Sequence, residues 1–292
     1  MTDLSKSDDS NRFVFRASCD DAPGIVHAIT HVLVEHNCSM GESQQYGDPE
    51  TQRFFMRVQF VGVDGPVSVA PLRDALGDVA QRFSMEWDLR PATVRQRVLI
   101  MVSKFGHCLN DLLYRQRIGA LDIEIPAVVS NHNEFRDLVE SYDIPFHFIP
   151  VTPETKAAAE TELLHLVGAL DIDLVVLARY MQVLSDSLCI AMNGRVINIH
   201  HSFLPSFKGA RPYHQAHSRG VKVIGATAHY VTADLDEGPI IEQEVVRVDH
   251  TFGPDRMVAA GRDAECQALA RAVTWHTQGR ILLNGNRTVV FR

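Results

Sequence analysis

The run Leu174-Val-Val-Leu-Ala178 is apolar at every position and follows a long stretch of helical periodicity. A strand apolar on both faces must be covered on both, which is the setting of a central parallel strand. The same alternation starts upstream. Arg97 to Ser103 reads as a buried strand, a loop around Gly106 leads into a helix through Leu109, Leu112 and Leu113, and Ile125 to Ser130 reads as the next strand. Glu134 to Ser141 reads as a helix and Phe146 to Pro150 as a strand. Thr152-Pro-Glu-Thr155 carries helix-start chemistry, with Thr at the N-cap and Pro at the first helical position, for a helix to Leu170. Strands alternating with helices predict an open, mostly parallel, Rossmann-like α/β sheet. In such sheets ligands bind beyond the carboxyl ends of the strands.

The chain before Arg97 follows another pattern. Phe13 to Ser18 alternates as a strand, Asp21-Ala-Pro-Gly24 is turn chemistry, and Ile25 to His36 has helical spacing that stops near Asn37. Cys38 to Tyr46 and Gln52 to Val63 read as two strands, Val67 to Phe83 as a helix and Ser84 to Leu89 as a last strand. The order βαββαβ is the ferredoxin-like plan. The expected organisation is a disordered tail over 1–11, a first domain over 12–90, a linker over 91–96 and a second domain over 97–292. The second domain closes with a helix from Pro254 to Gln278 and a hairpin from Ile281 to Phe291, with Asn284-Gly285 as its turn signal.

Composition removes several classes of partner. The 28 Lys and Arg against 36 Asp and Glu give a formal net charge of −8, which argues against a nucleic acid. No apolar stretch approaches the roughly 20 residues that span a bilayer, and the polar start Met-Thr-Asp-Leu-Ser has no signal-peptide core, so the expected location is cytoplasmic and away from membranes. Cys19, Cys38, Cys108, Cys189 and Cys266 are odd in number and widely spaced, as reduced structural thiols are.

The chemistry concentrates in two segments, Val196-Ile-Asn-Ile-His-His-Ser-Phe-Leu-Pro205 with Lys208-Gly209, and Thr227-Ala-His-Tyr-Val-Thr-Ala-Asp-Leu-Asp-Glu-Gly-Pro239. Asn198 and His200, two apart on a strand, share a face. With His229 and Asp236 they offer an amide, two imidazoles and a carboxylate, enough for acyl chemistry with a base, a proton donor and an oxyanion stabiliser. Any one of them alone also fits a satisfied core or turn residue. His200 and His201 point apart if both lie on a strand, and His214 and His217 sit near a helix end, so no catalytic metal is expected.

These segments resemble the folate-dependent formyltransferase superfamily, whose catalytic Asn, His and Asp fall on Asn198, His200 and Asp236. Ala178-Arg-Tyr-Met-Gln-Val-Leu-Ser185 is similar to the pterin-pocket segment of that superfamily, which makes Met181, Gln182, Val183 and Leu184 candidate folate contacts, joined by Leu235 and Phe105. Asp21-Ala-Pro-Gly-Ile25 resembles the opening of an ACT domain, which implies oligomerisation or regulation by a small amino acid. Together the two resemblances cover the chain from about residue 12 and match the formyltetrahydrofolate deformylase family. The family implies hydrolysis of 10-formyltetrahydrofolate to tetrahydrofolate and formate, supplying formate for purine synthesis and balancing one-carbon folate pools. It implies no cofactor, because the formyl folate is the substrate, and a homo-oligomer with glycine or methionine as effectors.

The alternative is transfer of the formyl group to a small amine. A nucleotide-bearing acceptor needs a glycine-rich loop for its phosphate, and Ser103-Lys-Phe-Gly-His-Cys-Leu109 has one glycine and the bulky Phe105. Phe105 is expected to close the acceptor side and leave water as the nucleophile. His229 is expected to hold Asp236 or the water, or else to be a packed core histidine.

Overall fold

The computed structural model describes residues 11–63, 65–204 and 212–292. Residues 1–10 of the expected 1–11 tail and the stretch from Pro205 through Lys208-Gly209 lie outside the described residues, while Asn11 is fixed, its amide donating to Gly65 O at 2.7 Å and accepting from Val67 N–H at 2.8 Å. The chain divides into two compact units, one running to Arg95 together with Gln278–Asn284 and Thr288–Arg292, the other made of Gln96–Thr277 and Gly285–Arg287.

The first unit follows the βαββαβ order, with β1 (Arg12–Asp20), α1 (Ile25–Glu35), β2 (Cys38–Asp48), β3 (Arg53–Gly62), α2 (Val69–Arg82) and β4 (Glu86–Pro91). Its four strands pair antiparallel in the order β2-β3-β1-β4. Alternation decides the layering. Phe13, Phe15, Ala17 and Cys19 of β1 and Met56, Val58 and Phe60 of β3 join one buried cluster with Ile25, Ile29 and Leu33 of α1 and Leu72 and Leu76 of α2. Each such large side chain contributes ~1.5–3 kcal/mol by leaving water. Phe55 alternates to the opposite face, where it packs with Leu282 and Phe291 from the end of the chain.

The end of the chain differs from the sequence expectation in two ways. Strands β13 (Ile281–Asn284) and β14 (Arg287–Val290) form the predicted hairpin, but they cluster largely with the first unit and not with the residues 97–277 that precede them. The hairpin turn is Gly285-Asn286, with Gly285 at φ 60, the positive first position that two-residue loops need. Asn284 is the last strand residue, and its buried amide donates to Asp48 Oδ2 at 2.6 Å.

The second unit is a doubly covered α/β sheet. It contains β5 (Gln96–Val102), α3 (His107–Arg117), β6 (Ile123–Glu124), β7 (Val128–Ser130), α4 (Arg136–Glu140), β8 (Phe146–Phe148), α5 (Lys156–Ala169), β9 (Leu174–Leu177), α6 (Asp186–Ala191) and β10 (Val196–His200). It continues with α7 (Pro212–Ser218), β11 (Val223–Tyr230), β12 (Ile240–Arg247) and α8 (Pro254–Thr277). The strand order is β12-β11-β10-β9-β5-β7-β8; the pairs from β10 to β8 are parallel, and β11 and β12 add an antiparallel edge. Every residue of β9 is buried, as its unbroken apolar run requires.

Helix α5 starts at Lys156, not at Thr152. Pro153 sits in a preceding turn closed by Thr155 N–H and Lys156 N–H on Thr152 O, at 3.2 and 3.0 Å, and Thr152 Oγ1 makes the expected capping contact there, accepting from Thr155 N–H at 3.2 Å. No helix among the described residues is long and apolar enough to cross a membrane.

Candidate active site

Antiparallel pairing of β10 with β11 sets Asn198 opposite His229 and His200 opposite Thr227. The two segments singled out by composition thus become neighbours at the carboxyl end of β10, where the sheet changes from parallel to antiparallel. The ladder between β11 and β12 shifts register between Ala228 and His229, an irregularity of the kind that re-aims side chains at functional sites.

His229 is 2% exposed, and its Nδ1 lies 2.9 Å from Tyr230 O, an acceptor only, so Nδ1 carries the proton and donates. Burial outweighs the attraction of Asp236 and holds the imidazole below its ordinary value, so the ring is neutral. Its bare Nε2 then accepts from Asn198 Nδ2 at 3.2 Å. This fixes the Asn198 amide with one N–H committed and a second available. The 3.7 Å approach of His229 Nε2 to Asp236 Oδ1 is no hydrogen bond for a neutral ring. His229 therefore holds Asn198: of the two sequence expectations, a partner of Asp236 or the water and a packed core histidine, its burial and its two filled ring nitrogens fit the second.

Asp236 receives its contact from the other imidazole. His200 Nδ1 lies 3.3 Å from Asp236 Oδ2, and this interaction, against the opposing effect of partial burial, holds the carboxyl below the usual carboxylate range. His200 is buried, and among the described residues its Nε2 has no hydrogen-bond partner. His201 does not point away as strand alternation predicts: β10 ends at His200, and the two rings stack at 4.9 Å with 24° between their planes. Thr227 secures the backbone just beyond the histidines, donating to Ser202 O at 2.9 Å and accepting from Leu204 N–H at 3.1 Å.

The loop that presents Asp236 is strained and tightly docked. Asp236 has φ 56, in the left-handed region that non-glycine residues seldom occupy. Two residues on, a Cβ on Gly238 would stand 1.9 Å from Tyr230 O, while Tyr230 N–H donates to Pro239 O at 2.9 Å. Only glycine lets the two backbones pass so closely.

Asn198, His200, His229 and Asp236 open on one cavity of about 290 Å³. Met181, Gln182, Val183, Leu184 and Leu235 line it too, so the pterin-pocket candidates and the polar quartet share one space. Met181, Val183 and Leu235 are more than half exposed, apolar groups set at the mouth of a polar site. The 181–185 loop is fastened at both ends, by Met181 N–H to Ser103 Oγ at 3.0 Å and by Ser185 N–H to Glu160 at 2.8 Å. Phe105 is not part of the cavity wall. Its ring sits 5.6 Å from the guanidinium of Arg179, which does line the cavity.

Arg179 leads to a group that sequence reading missed. Glu265, in the middle of α8 and 1% exposed, accepts from Tyr213 OH at 3.0 Å, pairs with His107 Nε2 at 2.7 Å and lies 3.4 Å from Arg179 Nε. Burial raises its carboxyl, but His107, Arg179 and Tyr213 together bring it below the ordinary range. The signal was present in the helix period: Met257, Gly261, Ala264, Ala268 and Ala272 form the buried stripe of α8, and Glu265 falls on it.

His107, Cys108 and Glu265 bring three potential metal-ligand atoms within 4.8 Å of one another. Contact with Cys266 and burial hold the Cys108 thiol well above its ordinary value, and a guanidinium already faces the carboxylate. A neutral thiol and a neighbouring cation make a poor cation site. His214 and His217, the other pair weighed, are both exposed on α7.

Comparison with known proteins places the chain in a family. Residues 96–273 match the formyl transferase family. A formyltetrahydrofolate deformylase of Corynebacterium sp. (strain P-1) is 56% identical over 96% of this chain and 98% of its own length. A crystal structure of formyltetrahydrofolate deformylase from Burkholderia mallei superposes with a TM-score of 0.94 at 49% identity, over 97% of this chain and all of its own. A glycinamide ribonucleotide transformylase from Symbiobacterium toebii is similar over only 70% of this chain and 97% of its own, with a TM-score of 0.64 at 27% identity.

Proposed function

The chain belongs to the formyl transferase family, among the formyltetrahydrofolate deformylases, and we propose on that premise that it hydrolyses 10-formyltetrahydrofolate to tetrahydrofolate and formate. The observation that carries the chemistry is the placement of an ionised Asp236, His200 and Asn198 on one cavity beside the 181–185 loop. Asp236 takes a proton from water as the water oxygen attacks the formyl carbon. The second N–H of Asn198 and the Nε2–H of protonated His200 receive the developing oxyanion. The C–N10 bond then breaks with its electron pair on N10, which is protonated through His200 or a water as formate leaves. His229 acts through Asn198, whose amide it orients. The formyl folate is the substrate, and no step calls for a cofactor.

The decisive assay supplies 10-formyltetrahydrofolate and no acceptor, and follows tetrahydrofolate and formate. Release of both is the expected result; activity that waits for an added small amine would make the protein a transferase instead.

The remaining parts of the reading are a cytoplasmic location, which five free thiols support, and a homo-oligomer built through the first unit, whose β2 is an open sheet edge. An ACT-like unit is assigned the binding of a small amino acid. Repeating the assay with glycine and with methionine tests that assignment.

A further inference from the structure

Arg179 is the cation of the cavity that the proposed mechanism does not use. Two residues of chain separate it from Leu177 of β9, and the same step separates His200 from Asn198 of β10, while Leu177 and Asn198 are register partners in the parallel pair. Both strands run out here, and Arg179 and His200 line the same cavity at the carboxyl edge of the sheet. Its backbone is left-handed at φ 64, and Ser103 N–H bonds to its carbonyl at 3.2 Å. The side chain is 11% exposed, with Nε at ion-pair distance from Glu265 but without hydrogen-bond alignment, and unsatisfied. Among the described residues, its terminal nitrogens have no hydrogen-bond acceptor. Phe105 covers the guanidinium at 5.6 Å, and Tyr213 and His107 hold Glu265 in place.

A guanidinium so nearly buried, with donors unfilled, on a residue that lines the cavity, is matched to an anion with two oxygens. The proposed reaction makes one. Transfer to an amine leaves a neutral amide with a single carbonyl oxygen, whereas hydrolysis adds the water oxygen to the formyl carbon and releases a carboxylate. One water proton goes by way of Asp236 to N10, the second leaves as formic acid ionises, and the product carries a full negative charge. Asn198 and His200 serve one oxygen of the intermediate and leave the other without a cation.

We propose that Arg179 binds the carboxylate of formate as it forms, with Glu265 as its positioning residue, and that this cation adapts the formyl site to water as acceptor. The proposal rests on the hydrolase reading. The same carboxylate chemistry is also carried by the glutamyl tail of the folate, and the test separates the two sources.

Initial rates are measured against sodium formate at constant ionic strength for the wild type, Arg179→Gly and Arg179→Met. Glycine takes the left-handed backbone without strain and methionine keeps side-chain bulk, so a folding defect in one leaves the other informative. The inhibition constant for formate is expected to rise at least about tenfold in both, as loss of a charge-assisted contact implies. Glu265→Gln is expected to raise that constant while KM for the formyl folate stays within about twofold, a split that a general packing defect would not produce. An unchanged formate constant in active Arg179 variants overturns the proposal, as does a wild type that formate does not inhibit. If Arg179 serves the glutamyl tail, KM rises in the variants, that rise vanishes on a formyl folate lacking glutamate, and the formate constant does not move; this outcome also overturns it. A wild type that releases no formate from 10-formyltetrahydrofolate sinks the hydrolase reading itself.

Discussion

Each unit holds a cluster of buried charge, and the two are finished differently. In the first unit Arg57, 2% exposed, donates to Glu42 Oε2 at 2.9 Å and to Gln278 O at 3.3 and 3.2 Å, and Arg280 donates to the same Glu42 and to Phe291 O. Burial raises the Glu42 carboxyl, and the two guanidinium groups more than reverse it. In the second unit His200 Nε2 is without a partner among the described residues and Asp236 is held on a strained backbone. A closed cluster ties chain segments together, whereas an open one leaves its free valences for something that arrives later. Strain and unmet hydrogen bonds collect where a ligand completes the structure.

The comparison breaks most visibly at the open cluster. Asp236→Asn removes the base and keeps the shape, and His200→Ala removes an oxyanion donor; each is expected to lower kcat about 10³-fold, with KM and the urea midpoint little changed. Steady-state rates and denaturation curves on the same preparations check this, and loss of stability in step with activity would erase the distinction. The closed cluster should answer in the opposite way. Arg57→Met is expected to cost about 3 kcal/mol in urea unfolding, since Glu42 keeps only Arg280 and the Gln278 carbonyl loses its donors.

The smallest effect sharpens the comparison through pH. His229 has its folded value depressed, so the unfolded chain binds more protons, and its contribution to stability is lost as pH falls below ~6.5 toward the folded value. Asp236, also depressed, contributes above the unfolded carboxylate value of ~3.9 and loses that contribution only at lower pH, so it adds no slope near neutrality. Unfolding free energies between pH 5 and 8, measured as wild type minus His229→Gln, should therefore fall on acidification by about 1 kcal/mol or less. The same variant is expected to lose roughly tenfold in kcat through the disordered Asn198 amide.

Periodicity made much of this visible in advance. The full burial of β9 and the inward phenylalanines of the first sheet follow from residue type alone. Asn198 and His200 share a face for the same local reason. The pairing of Asn198 with His229 depends on a ladder between residues 31 apart in sequence, which no local pattern encodes. Phe105 stands against Arg179 and outside the cavity lining, because a bulky residue in a short loop signals filled space without saying which space. Glu265 was missed in a helix read only by its bounds, when the charged residue on the buried stripe was the informative one.

The close passage at Gly238 bears on how such a site is mapped by mutation. In a saturation library selected for turnover, position 238 would be depleted as thoroughly as position 236, although a hydrogen atom offers the substrate nothing to bind. Depletion alone would count it among the catalytic groups. The same contact narrows the evolutionary routes open to the loop: Asp236 can be moved only by changes that keep position 238 bare, so its reach is adjusted from the residues before it and not from those after.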